Sequence, residues 1–157
     1  MDAVRWYDEP AEELSAGRLH ELLALRNAVF VVEQACVYQD IDGRDLLAGT
    51  RHVWADGPDG MVAYARLLAP GAGGPARIGR VLVVPAGRGT GLGHDLVEHA
   101  VAGCRRAWPG TGIMLAAQAH LQDFYGRHGF VPRGEVYDED GIDHVDMVWE
   151  GAAGPTS

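Results

Sequence analysis

Hydrophobic and polar positions recur along this chain with two different periods, and each change of period marks an element. Val4 to Tyr7 has the pattern of a short first strand, which Pro10 to Glu13 breaks. Ser15 is placed to cap a helix in which Leu19, Leu22, Leu23, Arg26, Val29, Phe30 and Glu33 recur at helical spacing. Arg26 and Glu33 are charged although they lie in line with the apolar stripe, so each must be solvated, paired or functional. Thr50 to Ala55 and Met61 to Leu68 read as strands. The short connection Asp56-Gly57-Pro58-Asp59-Gly60 makes them an antiparallel hairpin. After a glycine–proline loop at Pro70 to Pro75, Ala76 to Val84 is the next strand, and its β-branched end, Val81 to Val84, reads as buried. Pro85 ends it, because proline has no N–H to give to a ladder. Arg88 to Gly93 is a glycine-rich turn. Beyond it, Leu92, Leu96, Val97, Ala100, Val101 and Cys104 share one helical face, with Asp95, Glu98 and Arg105 off it. Ile113 to Gln118 is a further buried strand, parallel to the previous one because a helix intervenes. His120 to His128 reads as a short helix closed by Gly129. Phe130 to Asp138 and Ile142 to Trp149 form a final hairpin around Glu139-Asp140-Gly141. Residues 1–150 thus read as a single domain and 151–157 as a frayed tail.

The order of elements predicts an α/β mixed sheet with a single parallel crossing. Ligands of open α/β sheets bind outside the carboxyl ends of parallel strands, here near Val83 to Gly93 and Gln118. The strand, glycine loop and helix start at Val81 to Gly93 have a chemical consequence. The first turn of a helix has N–H groups without intrahelical partners, and its macrodipole is positive there. Glycines let the backbone turn sharply and approach a ligand closely. Such a site suits a phosphate or pyrophosphate, and Arg88 adds a permanent charge with bidentate reach. The alternative is a tight turn with no ligand.

Composition narrows the chemistry. All thirteen basic residues are arginine, so a Walker loop, a protein-kinase loop and a Schiff-base lysine are excluded. A Rossmann fingerprint fits loosely, because Gly93 falls one position early and Gln118 stands where an acidic residue is wanted. Ser15 and Ser157 are the only serines and neither sits in G-x-S-x-G, which excludes a serine hydrolase. A length of 157 residues suits one domain that buries roughly 70% of its unfolded surface. The net charge of −9 argues against a nucleic-acid binder and mildly favours a cationic small substrate. No basic-plus-apolar leader and no apolar run of membrane-spanning length occurs, so the expectation is a cytoplasmic protein with no membrane partner. Cys36 and Cys104 make no disulfide framework; Cys104 reads as a small buried hydrophobe and Cys36 as a packed loop residue.

Metal sites find little support. His94, Glu98 and His99 come nearest to one, but His99 is turned from His94 by roughly 140° at 3.6 residues per turn, so a solvated helix surface is expected. The loop from Cys36 to Gly49 carries Asp40, Asp42 and Asp45 without the rest of a calcium loop, and reads as solvated.

Arg88-Gly89-Thr90-Gly91-Leu92-Gly93, following Val83-Val84-Pro85, resembles the acetyl-CoA loop of the GNAT acetyltransferases, whose pattern is Gln/Arg-x-x-Gly-x-Gly/Ala after a strand carrying V-x-P. QAHLQDFYGRHGF at Gln118 to Phe130 resembles the segment of that family that ends in Y-x-x-x-G-F. The blocks RNAVFVVEQACVYQDIDGRD, TRH, AQAHLQDFY and GEVYDEDGIDHVDM are similar to its ElaA-type branch, across nearly the whole chain. The resemblance implies a mixed, mostly antiparallel twisted sheet, with one parallel strand pair splayed around the acetyl-CoA loop and flanking helices. It implies an acetyl-CoA-dependent N-acetyltransferase acting on a small-molecule or peptide amine by direct attack on the thioester, with no metal; a homodimer is admitted. By it, the pyrophosphate sits on Gly89, Thr90, Gly91, Leu92 and Gly93 with help from Arg88, and the pantetheine arm pairs with backbone at Leu82, Val83 and Val84. Gln118 stands where many relatives have asparagine, which leaves its contact open. An N–H near Val83 would polarise the thioester carbonyl, and Tyr125 would protonate the leaving thiolate. Glu33 is the first candidate for general base, with His120 and Glu135 next; substrate orientation or a structural hydrogen bond is the alternative for each. A non-catalytic acyl-CoA-binding module is the second functional reading. An acyl-homoserine-lactone synthase is the third, faintly suggested by R-x-x-V-F-x-x-E-Q at Arg26 to Gln34.

Overall fold

A computed structural model describes residues 3–151. The tail expected at 151–157 lies, apart from Gly151, outside the described residues. Seven strands form one sheet in the order β1 (Arg5–Pro10), β2 (Arg51–Gly57), β3 (Gly60–Leu68), β4 (Ala76–Val83), β5 (Ile113–Gln118), β7 (Ile142–Trp149) and β6 (Phe130–Glu139). Every neighbouring pair is antiparallel except β4 and β5. The helix α2 (Leu92–Ala107) covers one face. Leu92, Leu96, Val97, Ala100, Val101 and Cys104 all enter the main core with Val53, Ala65, Leu67, Ile113 and Leu115, as the period of the sequence requires. Burial raises the Cys104 thiol to about 12, which keeps it inert. On the other face, α1 (Ala16–Arg26) packs Leu22 on Trp54, Met61 and Tyr64. Ser15 caps it as expected, its hydroxyl accepting from the Arg18 N–H at 3.1 Å.

Two features of this frame depart from the expected pattern, and both shape the site. The first helix does not stay α-helical to Glu33. From Asn27 to Glu33 it widens into a π-helix, in which the Gln34 N–H reaches the Val29 carbonyl at 3.1 Å and the Cys36 N–H the Val31 carbonyl at 3.2 Å. Each residue there turns the chain by less than an α-helix does. Arg26 therefore stays fully buried while Glu33, in line with it on an ideal helix, swings out to solvent.

The second is a bulge in β4. Gly79 pairs with Arg66 and Leu82 with Tyr64, so three β4 steps oppose two of β3, and Arg80 sits at φ 52°. The extra residue flips the strand's faces. Ala76 and Ile78 belong to the core under α2, whereas Leu82 belongs to the core under α1. The run Val81 to Val84 is consequently not the buried strand its composition suggests: Leu82 alone is buried, and the other three are half-exposed.

The loop from Cys36 to Gly49 is mostly exposed, as expected of a solvated loop, but two of its three aspartates are not, which corrects the sequence expectation for them. Asp40 and Asp45 are each 5% exposed. Arg26 Nε donates to Asp40 at 2.9 Å, and its terminal nitrogens donate to Asp45 and to the Asp40 carbonyl. Arg66 of β3 binds Asp42 and Asp45, and Arg80 of β4 lies 2.7 Å from Asp40 and 3.3 Å from Asp42. Three arginines on three different elements thus pin the loop against the sheet. His52 extends the cluster, 2.6 Å from the Tyr64 hydroxyl and 3.0 Å from the Asp45 carbonyl; burial pushes its pKa down and holds it neutral.

Candidate active site

The parallel pair is short. β4 and β5 are in register only at Ala76–Ile113, Arg77–Met114 and Ile78–Leu115. Past the bulge the two strands part, and the gap between them is the centre of a cavity of about 330 Å³. Gly79, Arg80 and Val81 line it from β4, and Leu115, Ala116 and Gln118 from β5. Leu121 and Tyr125 also line it, Phe30 comes from the π-helix and Gln34 from its C-cap, and Cys36 and Tyr38 come from the pinned loop. The β6–β7 hairpin supplies Glu139, Asp140, Ile142 and His144.

The backbone of β4 facing this gap is open. The Val84 N–H donates to the Val62 carbonyl of β3 at 2.9 Å. Backbone groups alternate in direction along a strand, so those of Val83 face the gap. The Val83 carbonyl accepts there from Arg88 Nε at 3.0 Å. Pro85 to Gly87 then makes one tight turn, and Thr90 Oγ1 donates back to the Gly87 carbonyl, which stiffens the loop. Gly89 at φ 78° and Gly91 at φ 86° carry the chain through left-handed conformations into α2, where Gly91 is the N-cap. A Cβ added at either would meet no atom within 4 Å, so the surface in front of them is free. Gly93 answers a different need: its Cβ would lie 3.4 Å from the Phe124 ring, and its smallness lets α2 sit close to the short helix α3 (Gln122–Gly126). The Leu92 side chain is buried in the core, which leaves only its backbone to a ligand.

This geometry fits a CoA thioester. An open strand edge matches the amides of a pantetheine arm, and a left-handed glycine loop capping a sixteen-residue helix matches a pyrophosphate. Tyr125 belongs to the cavity lining, and burial raises its pKa to about 12, so it stays protonated over the physiological range. The other expected residues scatter. Gln118 lines the cavity, but Glu33, His120 and Glu135 do not. His120 is exposed on the turn before α3, and Glu135 is exposed in an irregular stretch of β6 between Arg133 and Tyr137. Glu33 is joined to Arg88 by two hydrogen bonds, one of them at 2.9 Å. The Arg88 hydrogen bonds lower the carboxylate's pKa, which makes it a weaker base. His94, also considered for a metal, lies 2.8 Å from His128 Nε2, and His99 stacks on Trp6.

A seven-stranded sheet that splays at one parallel pair, around a glycine loop feeding a helix, defines a class of acyl-CoA-dependent transferases. A family model described as an acetyltransferase (GNAT) domain matches residues 18–151, and the chain belongs to that family. Within it the chain is 48% identical to the protein ElaA of Escherichia coli over 148 residues, 94% of this chain and 97% of ElaA. The crystal structure of E. coli ElaA superposes with a TM-score of 0.91 at 47% identity, covering 94% of this chain and all of the other. An acyl-CoA N-acyltransferase from Pseudomonas aeruginosa gives a TM-score of 0.90 at 46% identity, over 94% of this chain and 99% of that one. The CoA-dependent acyl-homoserine lactone synthase BjaI gives 0.76 at 17% identity over 93% of this chain and 82% of that one, a likeness of fold alone.

Several residues of the cavity had no individual role in the sequence reading. Cys36, Tyr38 and Arg80 come to it because the aspartates of the loop bind arginines, a pairing with no sequence spacing to reveal it. Glu139 and His144 had a weak signal. In the last strand Val145 and Met147 alternate with His144 and Asp146, so its polar face must look away from α2.

Proposed function

We propose that this chain transfers the acetyl group of acetyl-CoA to the primary amine of a small molecule or peptide. The observation that carries the proposal is the gap where β4 and β5 part, with a protonated tyrosine in the wall of its cavity and the left-handed Gly89 to Gly93 loop following β4 in the chain. Acetyl-CoA, when bound, supplies an activated acyl group on a thioester. The N–H groups of the loop and of the first turn of α2 hold the pyrophosphate by partial positive charge, with Arg88 as a second cation. Of Leu82, Val83 and Val84, Val83 turns its main chain to the gap and its N–H polarises the carbonyl, whereas Leu82 and Val84 face β3, the Val84 N–H being bonded to Val62. Tyr125 gives its proton to the departing sulfur. The amine attacks directly, so neither cysteine serves as nucleophile.

The test is release of free thiol from acetyl-CoA against a panel of amines, for the native chain and for Tyr125→Phe. Turnover on an amine, cut about 10²-fold or more in Tyr125→Phe, is the expected result. With Tyr125 at about 12, no loss of rate from its ionisation is expected below pH 10 or so. Tight acetyl-CoA binding without turnover on any amine would refute the proposal in favour of a binding module.

A further inference from the structure

The cavity holds Tyr125 but none of the three carboxylate or histidine candidates for the base. It does hold a histidine. His144 pairs across the sheet with Gln118 at the end of β5 on one side and with Tyr137 of β6 on the other. Its neighbour Val145 is buried, so the imidazole projects from the opposite face, and it is part of the cavity lining.

The ring is fixed in one useful state. Nδ1 lies 2.8 Å from the Ile142 carbonyl oxygen. A carbonyl can only accept, so Nδ1 carries the proton and donates it, which leaves the lone pair on Nε2. The ring stacks on Tyr137 with centroids 6.2 Å apart. Nε2 is 3.7 Å from Glu139 Oε2, too far for a hydrogen bond but near enough to stabilise an imidazolium. Three other polar side chains of the cavity are occupied. Arg80 is held by Asp40 and Asp42, the Tyr38 hydroxyl donates to Asp40, and Cys36 Sγ donates to the Asp140 carbonyl at 3.0 Å.

We propose that His144 is the general base of this transferase, with Glu139 as the positioning residue that stabilises its charged form. The assignment rests on the transferase chemistry proposed above. The acceptor ammonium gives one proton to His144 Nε2. The freed nitrogen bonds to the acyl carbon, the C–S bond breaks with its electron pair on sulfur, and sulfur takes the Tyr125 proton. The new amide nitrogen sheds a second proton, which restores Tyr125. One proton therefore leaves through His144, beside a Glu139 carboxylate that is 54% exposed to water. The products are an amide, a CoA thiol and that proton.

The experiment compares the native chain with His144→Gln and Glu139→Gln by kcat, KM, pH profile and calorimetric acetyl-CoA affinity. Titratable or charged groups facing the imidazole are Glu139 and Tyr137 from β6, Asp146 on its own strand, Tyr125 below, and Arg80, Tyr38 and Cys36 across the cavity; β5 contributes the uncharged Gln118. Glutamine can still donate to the Ile142 carbonyl but cannot take a proton. His144→Gln is expected to lower kcat/KM about 10²- to 10⁴-fold, to abolish the acid limb of the pH profile and to leave acetyl-CoA affinity unchanged. A hydrazide, already neutral at assay pH, should recover most of the lost rate. Glu139→Gln should lower kcat with acetyl-CoA affinity unchanged, because the imidazolium formed on proton transfer loses the carboxylate 3.7 Å away. Native turnover with His144→Gln equally active, or with its acid limb intact, overturns the base and leaves the transferase standing. No turnover by the native chain on any amine overturns both. Should His144→Gln fail to fold, a native kcat with an intact acid limb in His144→Asn overturns the assignment.

Discussion

Replacing Arg26 by methionine tests whether the buried charge cluster shapes the cavity. The arginine is fully buried, and methionine nearly matches its volume, so the loss is chiefly electrostatic. The substitution removes the donors at Asp40 Oδ2, the Asp40 carbonyl and Asp45 Oδ1. It leaves two carboxylates, each 5% exposed, with less compensation. Removing one partner of a buried pair costs about 3–5 kcal/mol. The lower end applies here, because Asp40 keeps Arg80 and Asp45 keeps Arg66. At about 2–4 °C per kcal/mol for a chain of this size, a loss of about 3 kcal/mol lowers Tm by about 6–12 °C. The pH dependence has a definite sign. Burial works to raise the Asp45 pKa, but hydrogen bonds and charge from Arg26, then Arg66, outweigh it and the folded value is depressed. A depressed carboxylate contributes stability that is complete above its unfolded value of about 3.9 and is lost as pH falls through the folded value. The Tm gap between Arg26→Met and the native chain should therefore be full at pH 7 and narrow below pH 4 or so. Scanning calorimetry at both pH values measures it. A gap under about 2 °C at pH 7, or one that widens in acid, would refute the reasoning. Because the cluster pins the loop that carries Cys36 and Tyr38, the amine KM should rise more than the acetyl-CoA KM.

Two further substitutions follow from the geometry. Glu33→Gln removes the charge that holds Arg88, and titration calorimetry should show acetyl-CoA bound as tightly as by the native chain or a few-fold more tightly, with kcat retained; a kcat loss near 10²-fold would instead restore Glu33 as the base. Gly129→Ala places a Cβ 1.5 Å from the Gly151 carbonyl oxygen at φ 94°, where β7 leaves the sheet beside the turn after α3; a thermal melt should show at least about 3 kcal/mol of destabilisation, and an unchanged Tm would contradict the packing.

Part of this was legible along the chain because local chemistry decides it. The α2 stripe, the Ser15 cap, the glycine loop and the two hairpins depend on residues within a few positions of one another, and all appear where the pattern puts them. Asp40 and Asp45 are buried against a pattern that suggests a solvated loop, for the converse reason. Their partners Arg66 and Arg80 are 21 to 40 residues away and reach them only once β3 and β4 lie side by side. Glu33 was assigned from an ideal helical period that the π-helix does not keep.

The sequence by itself therefore determined the order of the elements, the parallel crossing and the glycine loop that starts α2, since periodicity, capping and glycine conformation are local. Tertiary structure alone decided which charges meet. A bulge of one residue at Arg80 turned Leu82 to the α1 face, and the splay of β4 from β5 opened the cavity. A cross-strand register brought His144 to Gln118 and Tyr137, and a three-arginine cluster drew two loop aspartates, Asp40 and Asp45, into the interior. Such contacts join positions distant in the chain, and their energies depend on geometry that exists only after the sheet has formed.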